Sequence, residues 1–228
     1  MWIIAQYQPT SFFSLKPNTA TSSGGKTLIV PTPFAIKTAL LDAAIRTQGV
    51  AQGEALFADL RDLEIAVRLP RQIVVNNTFN RVLRAARSPS PGQWPYQRTI
   101  AFREYVQFNG PLALALQGME AATMCPLLAQ VNYLGKRGGF IQLQEMPKEV
   151  AELPEEFTLL TTGYGDQFPL GTLQVVDDWG EKLTFDRVNI YSDKRITAGS
   201  HRIFHHVVLP HQPEQSSRNY TLYVWASA

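Results

Sequence analysis

Residues 22–49 read "SSGGKTLIVPTPFAIKTALLDAAIRTQG" and contain Gly25-Lys26-Thr27, the spacing that ends a phosphate-binding loop. Such a loop needs another glycine five residues before the Gly-Lys pair and a helix that begins at the Lys-Thr, so that its first N–H groups face the phosphates. The glycine position holds Ala20, and Lys26-Thr27 runs into Leu28-Ile29-Val30-Pro31, which is extended. Nucleotide hydrolysis is therefore set aside, and "SSGG" reads as a flexible loop ending in a basic residue. The helix comes later. Thr32 is a good N-cap, Pro33 suits the first helical position, and Ile36, Leu40 and Ala44 with Leu41 and Ile45 form an apolar stripe that stops near Gly49. Lys37 falls off the centre of that stripe, in the first turn.

Working outward, "MWIIAQYQP" (1–9) reads as a first strand and "GEALFADLRDL" (53–63) as a helical connector. "EIAVRLPRQIVVNN" (64–77) is one extended unit and "RTIAFREYVQFNGPLALAL" (98–116) a second. In the second, Ile100, Phe102, Val106 and Phe108 share one face, and Arg103, Tyr105 and Gln107 share the other. "EAATMCPLLAQVNYLG" (120–135) is a second helix with its start near Pro126, and "GGFIQLQE" (138–145) another strand. Strand, helix, strand, strand, helix, strand is the ferredoxin-like, RRM-like β-α-β-β-α-β pattern of an α+β domain. The boundaries expected are 1–150 for that domain and 151–228 for a β-rich C-terminal subdomain, carried by "TLQVV", "HRIFHHVVLP" and "YTLYVWA".

The middle strands are separated by "NNTFNRVLRAARSPSPGQWPYQR", residues 76–98, too long for a tight turn. It carries Arg81, Arg84, Arg87 and Arg98, the aromatic residues Phe79, Trp94 and Tyr96, and three prolines, and it reads as a protruding arm. Charge is distributed unevenly along the chain. From Ile65 to Arg103 there are seven arginines and no acidic residue, whereas Glu145 to Asp193 holds eleven carboxylates against Lys148, Lys182 and Arg187. A polyanion-binding half is one reading, because arginine binds phosphate as a fork and stacks on bases; a solvated face whose arginines pair with carboxylates elsewhere is the other.

Hydrophobic residues make up 45% of the 228, enough for a substantial core. The single cysteine, Cys125, rules out an internal disulfide framework and a zinc cluster built on thiolates, and reads as a buried small side chain. No signal peptide and no apolar run of about 18 residues is present, so the expectation is a soluble cytoplasmic protein with no membrane contact.

Three segments, "VPTPFAIKTALLDAAI" after an N-terminal strand, "RTIAFREYVQFNGPLALAL" after an arm, and "VNYLGKRGGFIQL" after the second helix, together resemble the Cas-five family of type I CRISPR interference complexes. The likeness covers most of residues 1–144. It implies a ferredoxin-like domain whose thumb hairpin, at about 76–98, holds the 5′ handle of the guide RNA (crRNA). It also implies a cap on one end of a backbone filament, beside the backbone and large Cascade subunits, with target DNA met only through the complex. Single-stranded RNA asks for a basic groove and for planes on which bases stack. The candidates are Lys26, Lys37, Arg81, Arg84, Arg87, Arg98, Arg103 and Tyr105, with Lys136 and Arg137 in "GKRGG", where glycines let backbone approach phosphate. Trp94 and Tyr96 are candidates for base stacking or for burial against a neighbouring subunit.

Some residue groups look catalytic. His201, His205, His206 and His211 lie close in sequence, but no carboxylate or cysteine completes a metal set nearby, and neither metal nor cofactor is expected. Some members of the resembled family cut precursor crRNA without metal, so His205 or His206 with a tyrosine is the alternative, an endoribonuclease. The favoured reading is a non-catalytic scaffold; the third is a plain globular interaction protein. Asp177-Asp178 and Glu155-Glu156 read as surface charge.

Overall fold

Residues 112–116 read Leu-Ala-Leu-Ala-Leu, and alternation puts the leucines on one face of a strand and the alanines on the other. In the computed structural model of the chain, which describes residues 1–17, 24–86, 88, 91–92, 94–136, 138–162, 170–189 and 191–226, that strand lies at the centre of a sheet. The elements begin with β1 (Trp2–Pro9), β2 (Gly24–Gly25), α1 (Pro33–Gln48), α2 (Val50–Ala55) and α3 (Phe57–Arg61). They continue with β3 (Glu64–Arg68), β4 (Gln72–Ala85), β5 (Tyr96–Phe108), β6 (Leu112–Gln117), α4 (Ala121–Gln130), β7 (Ile141–Leu143), β8 (Lys148–Val150) and β9 (Thr158–Leu159). β10 (Thr172–Trp179), α5 (Phe185–Val188), β11 (Arg202–Leu209), β12 (His211–Ser216) and β13 (Tyr220–Trp225) follow. The fold is mixed α+β with antiparallel sheets; among the described strands only the two residues of β2 pair in parallel.

The first sheet runs β7-β1-β6-β3-β9, with β8 also on β1. Leu112, Leu114 and Leu116 join Ile3, Tyr7, Ile65 and Val67 in the main core, with Ile36, Leu40 and Leu41 of α1 and Met124, Leu127 and Leu128 of α4. The alanines face the other way. Ala66, Ala113 and Ala115 leave room for Trp2 and Phe157 in a smaller cluster on the opposite face. Tyr7 reaches through the main core to donate its hydroxyl to Leu128 O at 2.8 Å, and burial pushes its phenol pKa up, so it stays a donor.

Helix α1 begins where the residues require: the Thr32 side chain accepts from Ala35 N, and Gly49, at φ +91°, ends it by donating to Ile45 O. The second helix differs from expectation. It starts at Ala121, not near Pro126, which lies inside it. Pro126 and Ala122 are both exposed, so the carbonyl left without a partner by the missing proline N–H lies on the solvent side. Cys125 is half-buried rather than buried, and burial pushes its thiol pKa up.

Each of the two extended units is broken into two strands belonging to different sheets. β3 and β6 pair in the first sheet; β4 and β5 pair in a second, ordered β12-β13-β4-β5-β2. The corners are Leu69-Pro70-Arg71 and Asn109-Gly110-Pro111, where proline withdraws a ladder donor and Gly110 takes φ +135°. They touch: a Cβ on Gly110 would lie 3.1 Å from Pro70 Cβ. Buried His211 holds the corner from the C-terminal side, its Nε2 2.9 Å from Pro70 O. β10 and β11 form a separate two-stranded sheet, and their Val176, Trp179, Val207 and Leu209 enter the same core as α1.

That packing corrects two sequence readings. Lys37 is not a surface cation and Asp178 is not surface charge: their side chains are 2% and 5% exposed and pair at 2.8 Å. α1 is covered by the first sheet on one side and approached by β10 on the other, so even a residue off its apolar stripe is buried. Lys37 Nζ also donates to Arg61 O at the end of α3, at 2.8 Å, and Trp179 N–H donates to Asp178 Oδ1. Burial lowers the Lys37 pKa and the Asp178 carboxylate pulls it back up.

Replacing Lys37 with Met strands a buried carboxylate and should cost about 3–5 kcal/mol in denaturant unfolding, while adding Asp178→Leu should recover most of the loss. A loss from Lys37→Met that stays below about 1 kcal/mol would refute a structural role for the pair. His211 supplies a pH test. Its pKa is lowered from 6.5, chiefly by burial, so the unfolded chain binds the proton more readily. The His211 contribution to stability is therefore complete above pH 6.5 and is lost as pH falls toward the lower folded value. Thermal melts between pH 7 and 5 should show that fall, and His211→Phe should flatten it.

Candidate nucleic-acid interface

The β4–β5 ladder runs without interruption from Ile73↔Phe108 to Ala85↔Tyr96, and Ala86 N–H donates to Pro95 O beyond it. Because directly opposed residues share a face, the pairing sorts the side chains. One face begins inside the core with Ile73, Val75, Val106 and Phe108. Past Asn77↔Glu104 the same face continues as Phe79, Phe102, Arg81, Ile100, Leu83, Arg98 and Tyr96, with no core over it. The expected alternation is correct, yet Ile100 is 68% exposed because the core stops before the strand does. Phe79 and Phe102 pack at 5.3 Å between centroids, and Trp94 and Tyr96 at 5.8 Å, with Trp94 71% exposed.

The register divides the arginines. Arg81 and Arg98 lie on the apolar face; Arg84 lies on the other, which also carries Arg103 and Tyr105 nearer the base. Arg81, Arg84 and Arg98 are exposed and form no ion pair among the described residues. Arg68, in contrast, is paired with Glu156, so part of the basic stretch is neutralised within the chain, whereas Arg81, Arg84 and Arg98 of the arm have no such partner among the described residues. Arg103 is half-buried: its Nη1 donates to Phe102 O, and its stem lies so close to Gly25 that a Cβ there would sit 2.6 Å from Arg103 Cδ. Tyr105 is half-buried two residues further along. Arg87 and Arg137 lie outside the described residues.

Lys26 is exposed, but its charge is matched. Its Nζ lies 2.7 Å from Glu104 Oε1, and the Thr27 N–H donates to Glu104 Oε2. A buried carboxylate of the chain itself thus holds the groups that the Gly-Lys-Thr motif would offer to a phosphate. Lys136 is exposed and unpaired among the described residues, in a turn closed by Gly139 N–H to Lys136 O. Lys37 is absent from the surface, as described above. Unpaired guanidinium forks interleaved with exposed rings bind phosphate and stack on bases.

The histidines disperse. His211 is buried, His206 exposed, and His201 accepts from Thr197 N. His205 Nε2 lies 3.5 Å from Asp178 Oδ2 without a hydrogen bond. The sequence reading passed over Arg202, beside these histidines, whose guanidinium sits 4.2 Å from the Phe34 ring centroid. Its signal was weak: only the β10–β11 register brings it next to α1.

No family model matches the chain. It is 26% identical over 200 residues to the CRISPR-associated protein Cas5 of Archaeoglobus fulgidus, covering 85% of this chain and 86% of that one. A chain described as a CRISPR RNA-guided surveillance complex shares the fold at TM-score 0.50 and 17% identity, over 91% of this chain and 87% of its own. A crystal structure of a CRISPR protein from Archaeoglobus fulgidus aligns at TM-score 0.48 and 11% identity, over 99% and 92%. The sequence likeness covers most of both chains, and the relative it links to this chain is a CRISPR-associated Cas5 protein, of the family that the three segments resemble.

Proposed function

We propose that the chain is a non-catalytic subunit of a type I Cascade-like complex that binds the 5′ handle of the crRNA and caps the backbone filament beside the backbone and large subunits. The observation that carries this reading is the β4–β5 hairpin, which leaves the core carrying unpaired Arg81, Arg84 and Arg98 among exposed Phe79, Trp94 and Tyr96. It serves as the thumb. The ferredoxin-like assignment is supported by the order β7-β1-β6-β3, in which the last, first, third and second strands of a β-α-β-β-α-β unit lie side by side. Charge is the second support. Phosphates meet forks that no internal carboxylate among the described residues has taken, on an arm, and Lys136 adds a cation at the glycine turn.

A scaffold role, rather than RNA cleavage, is supported by the histidines. His205 and His206 are successive residues of a strand and point to opposite faces, and His205 faces the Asp178 that Lys37 already holds. Target DNA is then met only through the assembled complex.

Binding of single-stranded RNA carrying the handle, measured across salt concentrations, should weaken in Arg81→Ala, Arg84→Ala and Arg98→Ala. The logarithmic salt slope should flatten by about 0.7 for each phosphate that the variant no longer neutralises. Unchanged slopes in all three variants would remove the hairpin from the interface. Incubated with repeat-containing RNA, with and without a chelator, the protein should leave it intact; defined cleavage abolished by His205→Ala or His206→Ala would make it a processing enzyme instead.

A further inference from the structure

A cavity of about 340 Å³ opens between the first turns of α1, the segment after β1, the glycine turn and the β10–β11 sheet. Its lining includes Lys16, Phe34, Tyr133, Lys136, Asp177 and Arg202. The volume lies near the lower end of the roughly 300–1,000 Å³ range of small-ligand clefts, the size for one nucleotide and not for a strand.

The chemistry of the lining is divided. Lys16 and Lys136 are exposed and make no ion pair among the described residues, so the rim carries free positive charge. Deeper in, the Arg202 guanidinium lies over Phe34, and its Nε, 3.4 Å from Asp177 Oδ2, makes no hydrogen bond. Both members of that weak pair keep hydrogen-bonding capacity. Asp42, the other carboxylate in the lining, is already held by Arg46 at 2.9 Å. A cationic rim suits a phosphate; aromatic and guanidinium planes suit a base; and Asp177 accepts from a base N–H edge while disfavouring phosphate beside it.

We propose that this cavity takes a single nucleotide of the bound RNA, its phosphate at Lys16 and Lys136 and its base, one bearing an exocyclic amino group, against Arg202 and Asp177. The inference rests on the reading that the chain binds crRNA, and adds a point of attachment separate from the hairpin. A base lodged there would give the subunit a local preference that the phosphate contacts of the arm do not provide.

Calorimetric titration of the full chain with adenosine 5′-monophosphate tests it, with uridine 5′-monophosphate and ribose 5-phosphate as comparisons. Adenosine monophosphate should saturate with a dissociation constant of about 1 mM, and the uridine and base-free compounds should bind about tenfold more weakly. Thr38→Phe, which fills the cavity from α1, should abolish the binding, and Lys136→Ala and Arg202→Lys should weaken it about fivefold or more. The Lys136→Ala and Arg202→Lys variants decide the matter if the filled variant fails to fold. Equal binding of adenosine monophosphate and ribose 5-phosphate, absence of saturation, or indifference to Lys136→Ala and Arg202→Lys would overturn the proposal. If handle RNA binds with its hairpin-dependent salt slope while adenosine monophosphate does not bind, the subsite fails and the crRNA reading stands; mononucleotide binding without RNA binding fails the crRNA reading instead.

Discussion

The fold turns on the contact between Pro70 and Gly110. At that point both strands of one long antiparallel ribbon leave the first sheet and enter the second, and they can do so together only because the corners interlock. A proline on one strand and a glycine at positive φ on the other remove a donor and a side chain where the backbones must approach. His211 binds the Pro70 carbonyl from a strand of the C-terminal segment, so the corner also ties β12 to the ribbon. Without the bend, β4 and β5 would prolong β3 and β6 in the first sheet, and the second sheet would lose its centre.

The bend also sets what becomes exposed. After the corner, one face of the ribbon is core for only a few residues, and then the same alternation continues beyond the core, with Lys26 over the Phe102 ring and Phe79, Leu83 and Ile100 exposed. Leu83, Ile100 and Phe79 are therefore apolar residues at solvent positions dictated by register, with Arg81 and Arg98 between them. A surface of rings and aliphatic groups interrupted by guanidinium groups has the composition of an interaction surface, and without ion pairs among the described residues its charge stays available.

Elsewhere much of the charge is absorbed. Lys37 and Asp178 neutralise each other between α1 and β10, Lys26 is matched by buried Glu104, and Arg68 by Glu156. The basic N-terminal half and acidic C-terminal half thus serve partly as internal partners, while the hairpin and the glycine turn keep cations that pair with no carboxylate among the described residues. Within the basic stretch, then, Arg68 has an internal partner, and Arg81, Arg84 and Arg98 have none among the described residues.

Local chemistry was enough to read α1 from Thr32 to Gly49, the strand-helix order through the first sheet, the alternation on β5 and the long excursion between the middle strands, because caps, period and turn residues act over a few positions. The likeness to Cas5 was legible for the same reason, in short segments in a fixed order. Three things lay beyond reach of the chain as a string: that the extended runs bend into a second sheet, that Lys37 and Asp178, far apart in sequence, meet in the core, and that Arg202 joins Lys16, Phe34 and Lys136 around one cavity. Each depends on which element packs over which face, and burial of a side chain follows from what lies above it, a long-range quantity that no local pattern of residues encodes.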